Sequence, residues 1–91
     1  MQQSISITVD GLVQGVFYRQ STKAKAVELG ITGEIKNKPD GTVHIIATGT
    51  EAQLNHLVEW CKKGPEMAIV TSVKIEQCPS QSFKGFNIVK N

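Results

Sequence analysis

Ile31-Thr32-Gly33-Glu34-Ile35-Lys36-Asn37-Lys38-Pro39-Asp40-Gly41-Thr42-Val43-His44-Ile45-Ile46-Ala47 is the stretch on which the fold turns. Ile31, Gly33 and Ile35 alternate with Thr32, Glu34 and Lys36, the two-residue period of a strand with one buried face. Lys38-Pro39-Asp40-Gly41 is turn chemistry, since proline presets its φ, aspartate bonds its own backbone and glycine tolerates positive φ. Val43, Ile45 and Ala47 then share one side of a further strand. The segment predicts a β-hairpin.

Outward from the hairpin, each side carries first a helix and then a strand. On the N-terminal side, Tyr18, Thr22, Ala26 and Leu29 recur at helical spacing, and Gly30 suits the residue just past the helix end. On the C-terminal side, Thr50-Glu51-Ala52-Gln53 has the spacing of a capping box. Leu54, Leu57, Val58 and Cys61 make the apolar stripe of the helix it opens, which stops at Gly64-Pro65. Further out, Ile5, Ile7 and Val9 oppose Ser6 and Thr8 in a first strand that ends at Asp10-Gly11. Ile69, Thr71, Val73 and Ile75 read as one side of a fourth strand, and Phe86 and Ile88 leave room for a short last one. The order β-α-β-β-α-β predicts an α+β, ferredoxin-like split βαβ fold, an antiparallel sheet with two helices on one face. One-sided strands favour it, because a sheet covered on both faces is apolar at every position.

The 91 residues are read as a single domain over 1–91. A chain of this length has a radius of gyration of roughly 12 Å, enough for one core and too little for two. A Rossmann unit with a substrate domain, a barrel or a kinase is excluded by size. Ten basic and eight acidic residues are a mild balance, and the lysines are spread along the chain, so no nucleic-acid partner is expected. Met1-Gln2-Gln3-Ser4 has neither the basic nor the apolar region of a secretory signal. The longest apolar run, Met67 to Val70, is far too short to span a bilayer, so no membrane partner is expected either. Cys61 and Cys78 form neither a CxxC pair nor a disulfide framework and read as reduced thiols of a cytoplasmic protein. With no extra apolar helix face, a monomer is the expectation.

The connection Gly11-Leu12-Val13-Gln14-Gly15-Val16-Phe17-Tyr18-Arg19 joins a strand end to a helix start, where free backbone N–H groups and the helix dipole attract anions. Its glycines let successive N–H groups converge on one point. No Gly-Lys-Ser/Thr follows and GxGxxG is absent, so a nucleotide reading is unsupported. Taken alone, two glycines fit a plain tight turn. Arg19 tips the balance. It is the only arginine beside nine lysines, and it stands in the first helical turn, where a cation opposes the dipole. A guanidinium next to converging N–H groups matches phosphoryl oxygens better than an ammonium does.

At these residues the chain resembles the acylphosphatase family. Gly11-x-Val13-Gln14-Gly15-Val16-x-Tyr18-Arg19 matches the family's first signature at every defined position, and Gly33-x-Ile35-Lys36-Asn37 with Gly41-Thr42-Val43 looks like its second. Element order and length agree from Ile5 onward. The resemblance implies hydrolysis of a carboxyl–phosphate bond. It also implies that Gly15, Val16, Phe17, Tyr18 and Arg19 bind the phosphate, and that Arg19 and Asn37 are the catalytic pair, Asn37 positioning the water. Glu34 departs from the family, which carries a large aromatic or apolar residue there. It is expected to face solvent beside Lys36 and Lys38.

The residue chemistry is consistent with that implication. Asn37 is no base near neutral pH, but its carbonyl accepts a hydrogen bond from water. A carboxylate leaving group, of pKa about 4, departs unprotonated, so neither a general acid nor a metal is required and no cofactor is expected. His44 lies opposite Val43 and Ile45 in parity, and His56 lies off the Leu54/Leu57 stripe, so both read as surface residues. Expected partners are a small acyl phosphate and inorganic phosphate. An RNA-recognition module has the same element order, but its base-stacking aromatics would fall at Ser6, Thr8, His44 and Ile46, none of them aromatic. A catalytically silent, anion- or partner-binding domain of the same fold remains the alternative.

Overall fold

The structure, a computed structural model, describes residues 2–90. Its elements are β1 (Gln3–Leu12), α1 (Tyr18–Leu29), β2 (Thr32–Asn37), β3 (Val43–Gly49), α2 (Glu51–Lys63), β4 (Ile69–Cys78) and β5 (Phe86–Ile88). The strands form one sheet in the order β4-β1-β3-β2-β5. β1, β2, β3 and β4 pair antiparallel, and β5 adds itself parallel to β2, with Phe86 opposite Gly33. The result is a mixed sheet carrying two helices, the α+β ferredoxin-like split fold. Its radius of gyration is 11.7 Å.

The strand alternation translates directly into burial. Ile5, Ile7 and Val9 of β1 and Val43, Ile45 and Ala47 of β3 are cross-strand partners in register, and all are buried. Leu54, Leu57, Val58 and Cys61 of α2 and Tyr18, Thr22 and Ala26 of α1 complete the core. Leu29 is only half-buried, packed against the core next to Gly30, which ends the helix at φ 77°. Thr50 and Gln53 form the capping box, the Gln53 N–H donating to Thr50 Oγ1 at 3.2 Å and the Thr50 N–H to Gln53 Oε1 at 2.8 Å. At the turn, Asp40 Oδ1 accepts from the Thr42 N–H at 3.0 Å and from the Thr42 hydroxyl at 2.6 Å. These bonds hold the Asp40 carboxyl below the ordinary carboxylate range.

β4 departs from its sequence pattern. Thr71 is an extra residue opposite the Asp10–Gly11 step, so the register shifts there and the parity of β4 switches. Val70 and Val73 pack against the core, whereas Ile69 is exposed with its partner Leu12. Ile75 keeps the predicted side, opposite Ile7, but at the sheet edge it is only partly covered. Gly11 makes the bulge possible. At φ 128° it lies so close to β4 that a Cβ there would fall 2.1 Å from the Ile69 carbonyl oxygen.

Candidate active site

The chain leaves β1 at Leu12, crosses Val13 to Phe17 and enters α1 at Tyr18. Gly15 turns this loop at φ 76°, and Phe17, at φ 64° and ψ 21°, closes it in the left-handed region. No side chain caps α1, and no acidic residue stands in its first turn. The first N–H groups of the helix therefore point out of the loop without a side-chain acceptor, the arrangement that attracts an anion.

Val13, Gly15, Phe17, Tyr18, Arg19, Gln20 and Asn37 line one cavity of about 280 Å³. The structure thus brings Arg19, from the start of α1, to the same cavity as Asn37, from the end of β2. Arg19 is half-buried and makes no ion pair among the described residues, so its charge is not spent on a carboxylate. Of the predicted binding residues, Gly15, Phe17, Tyr18 and Arg19 line the cavity. Val16 does not. Its side chain packs against the core.

Tyr18 is an anchor. It is 1 % exposed, its hydroxyl donates to the Cys61 carbonyl at 2.7 Å, and its ring lies 5.6 Å from that of Trp60, tilted. Burial, with Cys61 beside it, pushes the phenol above its ordinary range, and burial pushes the Cys61 thiol up to about 12. Neither group titrates near neutral pH.

Sequence reasoning missed how the two halves of the site are joined. Gln14 Nε2 donates to the Lys38 carbonyl at 2.8 Å and to the Thr42 carbonyl at 2.8 Å. One side-chain amide thereby ties the anion loop to the turn that follows Asn37. Gln14 stood in the first signature and the turn in the second, but no local pattern links residues that far apart. Val13 and Gln20 were also unforeseen as lining.

The flanking charges follow the strand parity. Glu34 and Lys36 lie on the open side of β2, with Ile35 buried between them, as expected for Glu34. Lys36 faces His44 across the β2–β3 pair. Burial first, then the charges of Lys38 and Lys36, holds the His44 imidazole below its usual pKa. His56 is exposed on α2, and Cys61 is a buried core residue.

The family model for acylphosphatase matches residues 5–88. An acylphosphatase of Marinobacter nauticus is 51% identical over 81 residues, covering 88% of each chain. The solved structure of an acylphosphatase from Coxiella burnetii superposes with a TM-score of 0.93 at 38% identity, covering 97% of this chain and 93% of that one. The crystal structure of acylphosphatase from Bacillus subtilis gives 0.92 at 36% identity, covering 98% and 99%. With both signatures present and the relatives matched almost end to end, this chain belongs to the acylphosphatase family, whose members are hydrolases.

Proposed function

We propose that this protein hydrolyses small acyl phosphates at the carboxyl–phosphate bond: RCO–OPO₃²⁻ + H₂O → RCOO⁻ + H₂PO₄⁻. In this reading the N–H groups of Gly15 to Arg19 and the Arg19 guanidinium hold the phosphoryl group. The Asn37 side-chain carbonyl accepts a hydrogen bond from water and aims it in line with the departing carboxylate. Phosphoryl transfer through a loose transition state calls for positioning and charge stabilisation more than covalent help. Orientation of the attacking group can supply a large part of the rate by itself.

The observation that carries the proposal is the meeting of Arg19 and Asn37 at one cavity with the uncapped start of α1. A carboxylate leaving group departs without a proton or a Lewis acid, which supports a metal-free reaction. On the same reading the protein works as a monomeric, single-domain enzyme in the cytoplasm, without nucleic acid. Free Cys61 and Cys78 suit that compartment. No helix among the described residues is long and apolar enough to cross a membrane.

The test is turnover of benzoyl and acetyl phosphate in the presence of EDTA, against p-nitrophenyl phosphate, a phenolate ester with a poorer leaving group. Rapid hydrolysis of the first two and almost none of the third is expected. Asn37→Ala should lose turnover while inorganic phosphate still binds, and Arg19→Ala should lose both. A metal requirement, or equal activity on the monoester, would refute the mechanism.

A further inference from the structure

We infer that the Phe17 side chain recognises the acyl end of the substrate and selects acyl phosphates whose acyl group is aromatic or bulky and apolar. The inference rests on the acyl phosphate reading above and names the substrate class of that same site.

Phe17 has two features that a purely structural role does not explain. It occupies the position that opens α1, where Ser, Thr, Asp or Asn would cap the free N–H groups. The same chain uses Thr50 in that way for α2. Phe17 is also the only non-glycine residue at positive φ among the described residues, in a region that disfavours residues with a Cβ. Its ring gains no burial in return. At 74 % exposure it is the most exposed of the large hydrophobic residues among those described, whereas its neighbours Val16 and Tyr18 both turn toward the core.

What Phe17 does have is a place among the residues that line the cavity, beside Gly15, Arg19 and Asn37. Those three present the polar groups that a phosphoryl group and a water need. The other apolar side chains on the wall, Val13 and Tyr18, are each 1 % exposed, so Phe17 is the apolar wall residue with a large free surface. A cavity of about 280 Å³ also holds more than a phosphoryl group, since a water molecule occupies about 30 Å³. Phe17, which the fold leaves largely exposed, borders that space. The departing carboxylate needs no proton donor, so the protein's contact with the acyl substituent beyond it can be apolar. A flat acyl group against Phe17 would gain the offset or edge-to-face contact that aromatic pairs prefer.

The test is the ratio of kcat/KM for benzoyl phosphate to that for acetyl phosphate, in the wild type, Phe17→Asn and Phe17→Leu. Asparagine tolerates left-handed φ, and leucine keeps an apolar body without a ring face, so one variant serves if the other fails to fold. The ratio should fall roughly fivefold to tenfold in Phe17→Asn and less in Phe17→Leu, chiefly through a higher KM for benzoyl phosphate. Should the wild type turn over both substrates and the ratio stay within twofold in the variants, the acyl role of Phe17 is overturned and the hydrolase reading stands. A wild type that hydrolyses neither substrate overturns both.

Discussion

Gln14 joins the two halves of the candidate site. Its amide nitrogen makes two hydrogen bonds of 2.8 Å, to the carbonyls of Lys38 and Thr42, and so sets the β1–α1 loop against the turn that follows Asn37. Each such bond contributes about 0.5–1.5 kcal/mol net, which puts the pair at about 1–3 kcal/mol. The lower half of that range applies. The Lys38 carbonyl also accepts from the Gly41 N–H at 3.1 Å and the Thr42 carbonyl from the Lys38 N–H at 2.9 Å, so neither is orphaned when Gln14 is lost. Gln14→Ala should therefore destabilise by about 1–2 kcal/mol in guanidinium unfolding at constant slope. Kinetics should suffer more than stability. If the bridge fixes Asn37 relative to the bound phosphoryl group, its loss should lower kcat on benzoyl phosphate by roughly 10-fold to 100-fold, the cost of a misplacement on the order of 1 Å. Inhibition by inorganic phosphate, assigned in the proposed mechanism to the loop and Arg19, should change much less. Gln14→Glu sharpens the test by pointing oxygens at oxygens. The charged form is disfavoured in the fold, so the folded pKa of the new carboxyl is raised above about 4.3. Its protonated form can donate one bond, a contribution present below the unfolded pKa and lost as pH rises through the folded one. Gln14→Glu should thus gain stability relative to Gln14→Ala on going from pH 7 to pH 4. A Gln14→Ala protein with kcat within twofold of wild type, or one whose phosphate inhibition collapses in step with kcat, would refute the argument.

Three further outcomes follow from contacts elsewhere. Tyr18→Phe removes the partner of the Cys61 carbonyl in the last turn of α2 and should cost about 1–3 kcal/mol, read as a lower Tm by roughly 4–8 °C per kcal/mol; an unchanged Tm would show that the carbonyl is satisfied otherwise. Gly11→Ala, with φ 128° and a Cβ aimed at the Ile69 carbonyl, should cost at least about 1–3 kcal/mol and strip amide-exchange protection from Val70 to Ser72, whereas retained protection would mean that the bulge accommodates a side chain. His44 has a lowered folded pKa, so the unfolded chain binds more protons between that value and about 6.5, and stability rises with pH across this window. In His44→Gln the difference between urea midpoints at pH 5 and pH 8 should shrink; an unchanged difference would assign the pH dependence to other groups.

Most of the fold was legible because it rests on local chemistry. Alternation in β1, β2 and β3 marks the two faces of a strand whatever its partner, and the Thr50–Gln53 capping box closes within one turn. Arg19 could be singled out from composition and position, and Asn37 came from the resemblance to a family motif. The β4 pattern misled for a physical reason. A strand bulge depends on the partner, and it was Gly11, far away in sequence, that let Thr71 be skipped and exchanged Ile69 for Val70.

The sequence by itself determined the element order, the core faces of β1, β2, β3 and α2, and the loop whose backbone and arginine suit an anion, because each is written within a few residues. Tertiary structure alone decided the rest. It set β5 parallel to β2, closed the Gln14 bridge, packed Val16 against the core and left Phe17 exposed where it lines the cavity. Each of those depends on which distant groups come within hydrogen-bond or van der Waals reach, and short-range periodicity contains no information about that.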